Sequence, residues 1–511
     1  MTVTPADPTN DDAGLDRLSL GSLARLPVTV DRPAYDVPAV ACGIVHLGIG
    51  AFHRAHQAFY TDGALASSGG AWGIVGASLR HPDIRDRLKP QDGLYTLIEK
   101  SGMGDRPRVI GAVRDVLFAP GDLARLLDLI AAPQTRIVGL TVTEKGYCHD
   151  PATGRLDASH PDIAHDLAHI EEPASAIGIL VAGLNRRYRS GGVPTTIMSC
   201  DNLPQNGVTL RGIVFDFASR IDTGLTRWLE NDVTFPCSMV DRITPATTDG
   251  LIAETSRTLG LLDAAPIQCE PFTQWVIEDN FAAGRPCWER VGVEIVENVT
   301  PFEEMKLRLL NGSHSMLAYL GYLGGYQYIW QLMREADYRD LVAGMMQEEV
   351  TPTLALARTG EYDLKMYQSK LIERFSNPAL PHLCYQITMD GSQKLPQRLL
   401  DTIRANLTVG RPFRRLALGV AAWMRFVGGV DEGGRPIVVK DPLAGLLAER
   451  VRRADGSAAA AVTNLLSVRA IFGDDLPQAA PLREELTGAL TALMAYGARE
   501  TVRRYARADA V

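Results

Sequence analysis

The feature that most constrains this chain is a strand-helix-strand pattern wound around a glycine turn. The apolar run CGIVHL ends in Gly48-Ile49-Gly50. A helix-compatible stretch, HRAHQAFYTDGALAS, follows, then a second apolar run, WGIVGASL, with Asp83 just beyond its end. In such a unit the turn lies at the carboxyl edge of a parallel sheet, where backbone N–H groups meet phosphates. An acid after the second strand accepts hydrogen bonds from the adenosine ribose and repels a 2′-phosphate, so NAD is expected over NADP. Two departures from the G-x-G-x-x-G fingerprint are evident: His53 stands at the third glycine, and Asp83 lies about 35 residues after Gly48 instead of ~20. They imply a long crossover and a helix that stands off the sheet or begins late. By itself the glycine spacing fits an ordinary strand-to-helix turn equally well. His53 and His56 have the spacing of a metal pair, but no third ligand accompanies them, and imidazoles at a turn more often act as hydrogen-bonding groups.

A chain of 511 residues exceeds the size of one growing core, so two or more domains are expected. Residues 1–40 read as a polar leader and a proline-rich irregular approach. Residues 41–296 alternate short apolar runs (YTLIEK, RVIGAV, RIVGLTVTE, TTIMSC, VTFPCSMV) with helical patterns, which predicts an α/β domain with a largely parallel sheet. Residues 297–511 carry mainly helical periodicity, with RPIVVKD as a short edge strand or an extended loop. Sixty acidic against fifty-two basic residues, with no long block of one sign, argue against nucleic acid as a partner. Seven scattered cysteines (42, 148, 200, 237, 269, 287, 384) form no C-x-x-C pair, so neither a disulfide framework nor a zinc site is expected and a reducing cytoplasm fits. The polar N-terminus and the lack of about eighteen consecutive apolar residues argue against export and membrane spanning.

The second motif is EEMKLRLLNGSHSMLAYLGYLGG. At about 100° per residue, Lys306, Asn311 and His314 fall at about 0°, 140° and 80°, within one broad helical face. Leu309, Leu310, Met316 and Leu317 are apolar neighbours, so part of this helix is buried. A lysine in such surroundings has its charged form disfavoured and becomes a usable general base. A surface lysine beside an Asn-Gly irregularity is the plainer alternative.

GIGAFHRAHQAFYTD, LTVTEKGYC, MSCDNLPQNG, MVDRITP, CEPFTQWVIEDNF, KLRLLNGSHSMLAYLGYLGGY and RFSNPAL with MDGSQKLPQRLL together resemble the polyol-specific long-chain dehydrogenases, the family of mannitol 2-dehydrogenase and mannonate (fructuronate) oxidoreductase. The resemblance runs from about residue 40 to the C-terminus, and K-x4-N-x2-H is its specific motif. It implies a Rossmann-type NAD-binding domain, a mainly α-helical C-terminal domain, and an active site in the cleft between them. G-x-G-x-F-H-R-A-H is then the family's own dinucleotide turn, with Val45, Gly48, Ile49, Gly50, Ala51, Phe52 and Asp83 at the cofactor. Lys306 matches the general base for the C2 hydroxyl. Asn311 and Asn202 match the amides that stabilise the developing alkoxide, and His314 matches a residue that orients the substrate and the lysine. Asp241 and Lys394 match positions lining the substrate site, and Glu303 matches a carboxylate that gates proton exchange. No metal is implied.

Mannitol-oxidising relatives typically carry glycine at the position of Lys145 and arginine at that of Gln386, so the resemblance is closest to the mannonate branch. Lys145 would then meet the carboxylate of a hexonate, unless it is a solvated loop residue. The expected substrate is a small sugar acid or polyol: D-mannonate/D-fructuronate, or alternatively mannitol/fructose or another hexitol or pentitol. A catalytically silent nucleotide-binding protein on the same scaffold is a reading from a different class, against which the intact Lys306, Asn202, Asn311 and His314 argue. A monomer is expected, since the sequence marks no coiled-coil seam and the family it resembles includes monomers.

Overall fold

The computed structural model describes residues 14–150, 153–360 and 362–507. The first part of the polar leader therefore lies outside the described residues. The chain divides into two compact units, one up to Thr300 and one from Pro301.

The first unit is built on a six-stranded, all-parallel sheet. Its strands are β1 (Cys42–Leu47), β2 (Gly73–Ser78), β3 (Val113–Phe118), β4 (Ile137–Leu140), β5 (Thr195–Ser199) and β6 (Val233–Thr234). They lie in the order β3-β2-β1-β4-β5-β6. This is the doubly wound Rossmann order, which places a ligand crevice at the carboxyl ends of β1 and β4. β2 and β4 are buried along their whole length. Both faces of the sheet are covered, which explains why these strands read as unbroken apolar runs. On one face pack helices Ala119–Ala131, Ala176–Arg189 and Asn206–Ala218. On the other lie Gln57–Ser68, Trp275 and Trp288.

Several expectations change in detail. YTLIEK does not join the parallel sheet; Tyr95–Glu99 pairs antiparallel with Arg106–Ile110 and parallel with Ile267–Cys269. VTFPCSMV is two strands, because Pro236 lacks an N–H and stands between β6 and Ser238–Asp241. Ser238–Asp241 pairs antiparallel with Gln274–Glu278 in another small sheet. The irregular approach forms no strand, yet it is not loose: Leu18, Leu26, Val30 and Val37 are buried against Leu94, Val109, Leu259 and Leu261.

The second unit has no strand among its described residues; RPIVVKD is extended, with Pro436 in an isolated bridge to Val430. Helix Gly312–Leu323 is almost wholly buried and packs on Arg414–Phe426, which in turn packs on the long Ala480–Arg507 helix. Three segments are π-helical: Lys306–Asn311, Met345–Val350 and Pro396–Leu400. The first packs against both others. In the second, the Glu349 carboxylate accepts from the Arg415 and Leu416 N–H groups (2.8 Å each) and so caps the Arg414–Phe426 helix. Burial pushes Glu349 up to about 7.

Candidate active site

The glycine turn follows directly from β1. Gly48 has φ +94°, and a Cβ there would meet Thr141 O at 2.0 Å, so only glycine fits. A Cβ on Gly50 would meet nothing within 4 Å; it would enter the open space of the adjoining cavity. A short helix, Ala51–Ala55, begins at once after the turn; the chain breaks at His56 and the longer helix starts only at Gln57. The His53 imidazole replaces the missing glycine by stacking on His46 of β1, with ring centroids 3.6 Å apart. Space for the His46 ring comes from β4, where a Cβ on Gly139 would lie 2.4 Å from His46 Nδ1. The close packing that a third glycine normally allows has therefore moved to the neighbouring strand.

His46 also holds the turn. Thr141 Oγ1 donates to Gly48 O (2.5 Å), so it accepts from His46 Nε2–H (2.9 Å), which fixes that tautomer. Burial pushes His46 down to about 3 and His53 well below its ordinary value, so both rings are neutral. His56 points elsewhere and donates from Nε2 to Gln274 O (2.9 Å). The two histidines thus do not form a metal pair. Among the described residues, no three His, Cys, Asp or Glu side chains are grouped to hold a metal ion.

Gly48, Ile49, Gly50, Ser78, Asp83 and Thr141 line a cavity of about 440 Å³. Asp83 opens a short helix, Asp83–Leu88, and is exposed beside Arg80. Ala51 and Phe52 begin the helix after the turn, where no carbonyl precedes them to take their N–H groups. Val45 lies in the core of β1 and lines a different cavity. The open face of Gly50, the crowded Gly48 and the acid after β2 fit a dinucleotide with its pyrophosphate at the turn and its adenosine ribose at Asp83.

Asp201, which with Asn202 forms the polar end of the run TTIMSC where the sequence leads one to expect a site, follows β5 and organises the rest of this edge. Its carboxylate accepts from Val142 N–H (2.9 Å), Thr143 N–H (3.1 Å) and the Tyr147 hydroxyl (2.8 Å). Thr143 sits at φ +64°, which costs a non-glycine residue about 1–3 kcal/mol and persists only where its surroundings enforce it. Burial raises the Asp201 pKa, and the three hydrogen bonds oppose that rise. Asn202 is the next residue and is exposed. Lys145 lies in the short 3₁₀ turn Glu144–Tyr147 and is exposed; Gly146, not Lys145, lines the nucleotide cavity. Asp241 ends its strand opposite Gln274 and is 7% exposed.

In the second unit, Lys306 is 9% exposed and opens the first π segment. This changes the helical-wheel reading. Residues five apart stand about 140° apart on an α-helix, but i→i+5 bonding brings them back to one side of the axis. Gly312 N–H bonds Leu307 O, five residues back, and Lys306 and Asn311 have the same separation. The lysine and the amide are therefore stacked one turn apart. A Cβ on Gly312 would lie 2.7 Å from Arg398 O, so the glycine after Asn311 lets the π segment at Pro396–Leu400 approach. Glu303 is half-buried on the preceding turn.

His314 packs its ring on Phe375 (4.7 Å) and faces His382, Nε2 to Nδ1 at 3.3 Å. Burial, with His382, Arg374 and Arg398 nearby, holds it well below its ordinary pKa. Lys394 is half-buried and donates to Met389 O (2.7 Å), while Gln386 is exposed in the turn Cys384–Ile387. His382 escaped the sequence reading because a lone His in a loop carries no spacing signal.

The mannitol dehydrogenase Rossmann domain model matches residues 42–290, and the mannitol dehydrogenase C-terminal domain model matches 298–494. D-mannonate oxidoreductase of Escherichia coli (strain K12) is 48% identical over 484 residues, 94% of this chain and 98% of that one. The uncharacterized oxidoreductase YdfI of the same strain is 48% identical over 477 residues, 93% and 97% of the two chains. A solved structure of Pseudomonas fluorescens mannitol 2-dehydrogenase, a ternary complex with NAD and D-mannitol, matches with a TM-score of 0.79 at 40% identity, covering 96% of this chain and 99% of that one. The glycine turn and the lysine-bearing helix lie within these matches, and the chain belongs to the mannitol dehydrogenase family.

Proposed function

We propose that the protein is an NAD-dependent oxidoreductase acting at C2 of a six-carbon sugar acid or polyol, and that D-mannonate and D-fructuronate are its substrate pair. The observation that carries the reaction class is Lys306, buried and one π turn from the Asn311 amide.

The bound nicotinamide supplies a hydride acceptor at C4. Lys306, 9% exposed, takes the proton of the C2 hydroxyl as general base. The side-chain N–H groups of Asn311 and Asn202 donate to the substrate oxygen as it gains charge, which is where preorganised donors act most strongly. His314 orients the substrate hydroxyls and the lysine, and Asp241 and Lys394 bind the hydroxyls farther along the chain. Glu303, three residues before Lys306 and so on the adjacent turn, passes the lysine's proton to solvent.

For the substrate, the mannonate reading is supported by the 48% identity to D-mannonate oxidoreductase and by lysine at position 145, suited to a C1 carboxylate. The equal identity to YdfI limits how much weight that figure bears. A mannitol/fructose reading is favoured by the structural match to mannitol 2-dehydrogenase and by the exposure of Lys145. The test is NADH oxidation by the purified protein with D-fructuronate and D-fructose side by side, each repeated with NADPH. A large preference for fructuronate that Lys145→Gly abolishes supports the first reading. Preference for fructose, unchanged in Lys145→Gly, replaces it with the second.

A further inference from the structure

His314 is held from three sides. Phe375, at the end of helix Leu364–Phe375, covers one face of the ring. Arg374 is buried nearby and Arg398 is half-buried, with Arg398 Nη1 donating to Ser315 Oγ (3.2 Å). The third side is His382, whose ring meets His314 edge-on, with centroids 5.3 Å apart. His382 is itself anchored by its backbone. Its carbonyl accepts from Ile329 N–H (3.0 Å), and two residues on, Cys384 N–H donates to Gln327 O (2.9 Å), around the isolated bridge between Tyr328 and Leu383. The segment therefore presents the imidazole at a fixed height beside the helix that carries His314.

Two imidazole nitrogens 3.3 Å apart require one hydrogen between them: two would clash, and none would leave two lone pairs opposed. Once that proton is placed, the tautomer of the His314 ring is determined, and with it whether His314 Nδ1 donates or accepts. Burial first, and then His382 and the neighbouring guanidiniums, oppose a second proton on His314, so the ring stays neutral and the choice of tautomer remains. We propose that His382 is a positioning residue that fixes the tautomer and orientation of His314 through the shared Nδ1–Nε2 proton. This rests on the reading of His314 as the residue that orients the substrate.

The chemistry requires only a partner that can hydrogen-bond at the Nδ1 position. Asparagine places a polar atom near that point, whereas phenylalanine fills the space and cannot bond. The expected result for His382→Phe is a fall in kcat of about 10- to 100-fold, the scale on which partners that orient a functional imidazole act, with NADH affinity retained. His382→Asn should recover to within about 5-fold of the wild type, since it restores the bond. A purely structural residue would not separate these two variants.

The deciding measurement is a double-mutant cycle on NAD-linked turnover in the full-length protein, with His314→Ala, His382→Phe and the double variant. If His382 acts through His314, the double variant is no slower than His314→Ala alone. Losses that multiply, or a His382→Phe enzyme as fast as wild type, overturn the proposal. Wild-type protein without any NAD-linked turnover would instead fail the functional reading. In that case the pair is read by ¹⁵N-coupled spectra of the histidine side chains. One His314 tautomer in wild type and a mixture in His382→Phe support the proposal; unchanged spectra overturn it.

Discussion

At Gly48 a ligand-facing backbone is made by tightening the chain: a left-handed glycine turns the strand within three residues and leaves Gly50 open to the cavity. At Lys306 the reverse happens, and a helix is loosened by i→i+5 bonding until a lysine and an amide five residues apart share one side. The first device serves backbone N–H groups and needs residues with no side chain. The second serves side chains and can be written in ordinary helix-forming residues. Under the proposed reading, function sits on irregular backbone in both units.

The comparison can be broken most directly at the lysine. Lys306→Ala should lower kcat by about 10²- to 10⁴-fold, the range of a lost general base, while NADH binding followed by fluorescence titration is unchanged. Full activity in that variant would remove the chemistry from the loosened helix. Deleting Leu307 should convert the π turn to an α turn and rotate Lys306 away from Asn311. The expected loss of turnover is about 100-fold or more with the helical circular dichroism retained, and retained turnover would show the π geometry to be dispensable.

The two glycines separate conformation from access. Gly48→Ala, at φ +94° and against Thr141 O, should cost about 1–3 kcal/mol of stability in urea unfolding. Gly50→Ala should leave stability within about 0.5 kcal/mol and weaken NADH binding, because its methyl enters only the cavity. Equal effects of the two would erase the distinction.

The two units also contain groups that impose opposite pH slopes. His46, pushed down to about 3 by burial, is neutral in the fold, whereas the unfolded chain binds a proton near 6.5. Between those values the unfolded state holds more protons, so stability of the first unit falls as pH falls. Glu349, pushed up to about 7 from 4.5, keeps its proton in the fold where the unfolded chain has lost it. Its contribution therefore declines as pH rises from 4.5 to 7. Each slope is about 1.4 kcal/mol per pH unit within its window. Segment-resolved hydrogen exchange, corrected for intrinsic rates, should show protection around His46 falling with falling pH and protection at the start of the Arg414–Phe426 helix, which Glu349 caps, falling with rising pH; parallel responses of these two segments would contradict the assignment.

The Rossmann sheet and the helical second unit were legible because their signals are periodic: buried parallel strands are continuous apolar runs, and helices repeat every 3.6 residues. What escaped was whatever depends on a partner distant in sequence. What His53 packs on was not legible: the room for its stack on His46 comes from Gly139, some ninety residues on. Lys306 and Asn311 were placed about 140° apart because the wheel assumes a single pitch, and a π turn leaves no compositional trace. Pro236 was visible, but its division of one apolar run between two sheets requires knowing where each half finds a partner. Asp201 stood out at its strand end, but its partners 54 to 59 residues away did not, and His382, acting 68 residues away, left no local pattern.

Asp201 has a consequence for how such an enzyme can change. Its carboxylate grips the main chain at Val142 and Thr143 and the Tyr147 hydroxyl, and so brackets the short turn that carries Lys145 without touching the lysine itself. The turn is held at its two ends and left exposed at its tip. Substitutions at the tip can accumulate without disturbing the strained backbone beneath or the neighbouring Asn202. A lineage can thus try new residues at position 145 one at a time, each on an unaltered scaffold, and a family that differs at that position need not have rebuilt anything else to do so.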